Sequence, residues 1–231
     1  MQRFKVLFIA LITLICCSCE DKSGDYIEQL FTNTELTNAI RSCLTVSKDT
    51  AIEHLCTDLR FVEDETYQMS ISSIPELQRM KDTLNLYGEA DIVDSLLVKI
   101  DLTCVNMGAY LGSQSGTLIS SLTATHPDEL IKGANNAITD YFRSSCNGSL
   151  TNSLNSALSL QLNNTGATQF WNNILSRYNE ITHTPISVDF QSCVMSHLLS
   201  AFYSEMEKEE ALVRADESHR TSTILQNVFG N

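Results

Sequence analysis

The stretch GATQFWNNILSRYN, residues 166–179, decides the fold class. Phe170, Trp171, Ile174, Leu175 and Tyr178 recur every three to four residues, the spacing that gathers side chains on one face of an α-helix. Gly166 is placed to end a preceding helix and Thr168 to cap this one. The chain's only tryptophan lies on this face. Aromatic side chains bury large apolar areas, so the stripe reads as a packing face in a helical core. The same cluster, Trp171 and Tyr178 above all, also suits the lining of a ligand groove.

Outward from there, helical periodicity dominates. Asp189 is placed to cap a long helix carrying Phe190, Val194, Leu198, Phe202 and Met206, and the chain closes on a short apolar helix within RTSTILQNVFGN, 220–231. Upstream, Asn33 or Thr34 caps a helix with Leu36, Ala39, Ile40, Cys43 and Leu44. Ser47 caps a second through Ala51, Ile52, Leu55 and Cys56, so the two form an expected hairpin. Tyr67, Met69 and Ile71 alternate with polar residues, which predicts an extended segment near 67–74, and Pro75 then starts a helix. Gly88 ends that helix, and a longer one carries Ile92, Val93, Leu96, Leu97, Ile100, Cys104, Met107 and Leu111. Pro127 opens another, ended by Gly133. Ala137 to Phe142 and the near-heptad leucines 150, 154, 158 and 162 follow. Three prolines and nine glycines argue against an all-β design. The expectation is an all-α, single multi-helix domain over 34–231, with about nine to eleven helices.

The chain opens MQRFKVLFIALITLICCSCEDKSG. Arg3 and Lys5 precede an apolar run too short to span a bilayer, the pattern of an export signal. Its cysteine ending resembles a bacterial lipoprotein signal. Residues 1–18 are therefore expected to be removed, with Cys19 (alternatively Cys17) carrying a palmitate-type lipid and 19–33 serving as a polar tether. Glu20 and Asp21 resemble the acidic export tags of surface lipoproteins. The expected location is the cell envelope, on the periplasmic or surface side of the outer membrane, with the membrane contacted through the lipid.

Loss of residues 1–18 leaves thirteen basic against twenty-eight acidic residues, a formal charge of −15. Such a surface has no electrostatic reason to seek nucleic acid. No GxGxxG, P-loop, HExxH or GxSxG motif occurs, so no cofactor is expected. Residues 105–127 and 144–176 hold no Asp, Glu, Lys or Arg. Helices of that kind either lie between others or offer a neutral, hydroxyl-lined face to a sugar or lipid.

Four motifs in order, ITDYFR at 138–143, GATQFWNNILSRYN at 166–179, LLSAFYSEMEKEE at 198–210 and RTSTILQNVFG at 220–230, resemble bacterial domain-of-unknown-function family 4197. The resemblance spans nearly everything from Leu36 to the carboxyl terminus. It implies an all-helical, secreted or lipoprotein-like domain facing the envelope, without implying an activity. The Ser/Asn-rich middle and the extra cysteines depart from the family's pattern.

Among chemically capable residues, Cys43, Cys56, Cys104, Cys146 and Cys193 follow Cys19. Cys43 and Cys56, on the two arms of the expected hairpin, are the pair to test for a disulfide; buried free thiols are the other reading. The five histidines show no i,i+4 pair, so no metal site is expected. The acidic run Glu205, Glu207, Glu209, Glu210 continues an apolar ridge, which turns Glu209 or Glu210 inward. A buried carboxylate needs a partner, and Arg143, Arg177, Arg214 and Arg220 are available. Either the pairing is structural, or the carboxylate is a general acid/base or ligand clamp with Arg143, Arg177 or Arg220. Three functions remain open: a non-catalytic module binding an envelope protein or small ligand, a hydrolase using the Glu–Arg clamp, and a self-associating scaffold joined through the last helix.

Overall fold

The helix that the rest of the protein surrounds runs from Asn33 to Ile52 (α1), in a computed structural model that describes residues 31–230. The signal 1–18, Cys17, Cys19 and nearly all of the tether 19–33 lie outside the described residues. Thr32, not Asn33 or Thr34, caps α1: its hydroxyl accepts from the Glu35 N–H while the Glu35 carboxylate takes the Thr32 N–H, a reciprocal capping box. Leu36, Ala39, Ile40, Cys43, Leu44, Ser47 and Ala51 are buried along α1. Ser47 therefore sits inside one continuous helix rather than capping a second. The expected hairpin is a single rod, prolonged by a π-helical turn at Glu53–Thr57.

Nine further α-helices follow among the described residues: α2 Arg60–Glu63, α3 Leu77–Asn85, α4 Asp91–Asn106, α5 Gly108–Ser121, α6 Pro127–Lys132, α7 Ala137–Asn164, α8 Ala167–Thr182, α9 Phe190–Ala215 and α10 Thr223–Phe229. No strand occurs among the described residues. The alternation at 67–74 resolves into turns and a 3-10 turn at Ile71–Ser73, with Ser70 and Ile74 extended on either side. Tyr67, Met69 and Ile74 are nevertheless buried, because the segment has no partner strand and packs its apolar side chains onto helices instead. Pro75 lies outside α3, which starts at Leu77 after Glu76 in a left-handed conformation.

α9 packs along α1, and α5, α6 and α10 complete the wrapping; α4 pairs with α8, and α7 bridges the two groups. The predicted long helix at 92–111 breaks at Met107, so α5 can turn back across α1. Gly108 lets the two segments pack closely: a Cβ there would come within 2.8 Å of the Cys56 Cβ on the π turn. Gly166, at φ 81°, is the junction itself, and α8 starts at Ala167 rather than being capped by Thr168. The Trp stripe is core. Trp171 is 5% exposed and stacks on Phe190 at 5.0 Å, and Ile174 and Tyr178 are buried beside it.

Candidate functional site

Three carboxylates of the α9 acidic run are buried, Glu205, Glu209 and Glu210, and each has partners. Glu210 accepts the Ile138 and Thr139 N–H groups at 3.0 and 2.7 Å, which makes it an anionic cap on the first turn of α7. Arg214, one turn along α9, closes on the same carboxylate at 2.7 Å and donates to the Ile131 and Leu130 carbonyls at the end of α6. One ion pair thereby holds an end of each of two helices against α9. Glu209 lies 2.8 Å from His219 Nδ1.

Glu205 has the densest surroundings. His54 Nδ1 and Lys208 Nζ each stand 2.7 Å from its oxygens, Arg60 stands at 3.7 Å, and the Tyr67 hydroxyl donates to it. Burial alone would push its pKa up. Hydrogen bonds from Lys208, Tyr67 and His54 outweigh that and hold it at about 2.

The arginines expected to form a clamp are dispersed. Arg220 donates to the Val213 and Arg214 carbonyls and closes the carboxyl end of α9. Arg177 forks onto Glu89 at 2.8 and 3.0 Å. Arg143 pairs with Glu207 and Asp140 and stacks over the Tyr203 ring at 4.7 Å. Only Arg214 meets Glu210. Cys43 and Cys56 are both free. Thirteen positions apart on one rod, they are separated by about 20 Å of helical rise, far beyond the roughly 7 Å that a disulfide tolerates between Cα atoms.

A separate arrangement appears between α7 and α9. Arg143, Asn147, Thr151 and Asn155 recur every four residues on α7, and Ser192, Ser196 and Ser200 do the same on α9; both rows line a cleft of about 550 Å³. Met195 and Leu199 are its buried apolar lining. Asn147, Thr151, Ser196 and Ser200 make no side-chain hydrogen bond to another described residue. Ser and Thr in other helices of the protein commonly return a bond to their own backbone, as Thr83 of α3, Ser95 of α4 and Thr182 of α8 do. Tyr203 also lines the cleft, is 3% exposed, and its hydroxyl has no partner. Burial pushes its phenol up, so the group stays a protonated donor. At the other end Gln191 donates to Asn155. The three serines also border a second hollow of about 710 Å³ with Cys193 and His197, so they form a hydroxyl ridge between two grooves.

No group of three or more His, Cys, Asp or Glu among the described residues is placed to hold a metal ion. No described helix is long and apolar enough to cross a membrane. A family model described as a protein of unknown function (DUF4197) matches residues 30–230. Comparison with curated proteins and with solved structures gave no match.

Proposed function

We propose, for a chain that belongs to the DUF4197 family of proteins of unknown function, a non-catalytic binding role in the cell envelope, with a small neutral polar ligand held in the α7–α9 cleft. The observation that carries this reading is the pair of facing rows, Asn147 and Thr151 opposite Ser196 and Ser200, whose polar groups are uncommitted above the apolar Met195 and Leu199. Pockets that fix a ligand by a few convergent polar groups over an apolar lining have this composition. The absence of formal charge on these rows favours a hydroxyl- or amide-bearing ligand, with Arg143 already neutralised by Glu207 and Asp140.

Catalysis by Glu209 or Glu210 draws less support, because both carboxylates are occupied by helix ends, Arg214 and His219. The scaffold reading likewise finds Leu225 and Val228 of α10 already buried within the chain. Attachment to the membrane through Cys19 or Cys17 belongs to the same proposal and rests on the sequence of the signal.

A thermal-shift screen of sugars, polyols and amides against residues 20–231 tests the cleft. A ligand present at a hundredfold excess over its Kd should raise Tm by roughly 5–10 °C, and the gain should vanish in Ser196→Phe. A screen with no such hit sinks the reading. Labelling cells with alkynyl palmitate tests the anchor: Cys19→Ala should abolish incorporation, and label persisting in a Cys17/Cys19 double variant would refute it.

A further inference from the structure

In a cavity that shares no lining residue with the α7–α9 cleft, Asp101 of α4 is 6% exposed and accepts one hydrogen bond, from the Met69 N–H at 2.7 Å. No cationic side chain among the described residues bonds it. It lines a cavity of about 170 Å³, several times the roughly 30 Å³ a water occupies in the liquid, together with Val62, Gln68, Met69, Leu97 and Val98. The rim is apolar and open. Val62 and Val98 are 38% and 63% exposed, and Leu102, one turn beyond Val98, is 46% exposed.

A buried carboxylate with an unfilled oxygen is costly without a counter-charge. The other buried acids among the described residues have side-chain partners: Glu205 has Lys208, Glu210 has Arg214, and Glu209 shares a hydrogen bond with His219. A metal ion would need several oxygen, nitrogen or sulfur ligands, and here one carboxylate and the Gln68 carboxamide, which donates to the Val62 carbonyl, stand among otherwise apolar walls. A primary ammonium on a short alkyl chain fits better, because its head donates to the free carboxylate oxygen while its methylenes cover Val62, Leu97 and Val98.

We propose that the Asp101 cavity is a binding site for a primary alkylammonium group. It lies apart from the α7–α9 cleft and stands or falls independently of it.

The test is an amide-resolved NMR titration of residues 20–231, which contain the whole core, with n-propylammonium chloride at neutral pH. Saturable shifts are expected at Met69, Leu97 and Val98, with at least a tenfold loss of affinity in Asp101→Asn. That variant retains an acceptor for the Met69 N–H. Tetramethylammonium, which cannot donate a hydrogen bond, should bind at least tenfold more weakly than the primary amine. Absence of saturable shifts at these amides in the wild-type protein overturns the proposal without reference to any variant. Equal binding by Asp101→Asn, or by tetramethylammonium, overturns it as well.

Discussion

Glu205 and Asp101 give opposite signs to the pH dependence of stability. The Glu205 pKa falls from its ordinary 4.5 to about 2 in the folded chain, through hydrogen bonds that overcome its burial. Its contribution is therefore fully present above pH 4.5 and is lost as pH falls through about 2, an amount on the order of 3 kcal/mol. Burial raises Asp101 from 3.8 to about 6 against the opposing Met69 hydrogen bond, so its ionisation lowers stability as pH rises across that interval. Denaturant melts of Glu205→Gln should show a deficit at pH 7 that narrows between pH 4.5 and 2. Asp101→Asn should gain stability at pH 7 and match the parent near pH 4. Parallel curves for either variant would contradict these assignments. At this scale the sequence was only partly legible. Continuing the apolar ridge through Met206 turned Glu209 or Glu210 inward, but it could not reveal Glu205, whose partners Tyr67 and His54 are 138 and 151 residues away. Asp101 was invisible for the same reason, since its burial comes from the Met69 segment folding across it.

Helix α7 shows how an element can serve several neighbours. Its buried residues Phe142, Cys146, Leu150, Leu154, Leu158 and Leu162 recur every four positions. Each step overshoots a 3.6-residue turn by about 40°, so the stripe winds through roughly 200° along the helix. That winding lets α7 face α5 and α9 and also reach α4 and α8. The leucine spacing was legible as helix; its winding, and hence the cleft on the α9 side, depends on partners that no spacing specifies. Breaks were harder still. The apolar pattern runs straight through Met107, and the close packing of Cys56 on Gly108 just after the break is a contact that no spacing specifies. Gly108→Ala should cost about 1–3 kcal/mol through overpacking. Gly148→Ala, within α7 and with open space at its Cβ position, should gain roughly 0.5–1 kcal/mol from helix propensity. Equal shifts in two chemical melts would rule out the proposed contact.

For the whole molecule, the all-α class was legible because apolar residues keep helical spacing over most of the chain from Leu36 to Val228, the segment near 67–74 excepted. The placing of α1 at the centre was not, since nothing local tells one amphipathic stripe that it will be covered on several sides. The carboxyl-terminal segment has a part in that covering. Leu225 and Val228 are buried in the core, Ser222 hydrogen-bonds Ser42 at 3.0 Å, and Arg220 closes the end of α9. Removing 220–231 should therefore lower stability by on the order of 5 kcal/mol, seen as loss of the cooperative melt. A truncated protein that melts near the parent temperature would refute this assignment. The same arrangement sets a timetable. The helix made first from the described chain is sheathed by α9 and α10, among the last made, so its closing contacts span nearly the full sequence. High contact order of this kind slows folding. Although α5 and α6 can cover part of α1 earlier, the side of its apolar stripe that α9 and α10 cover stays open until they emerge, so the risk of aggregation is greatest just before completion.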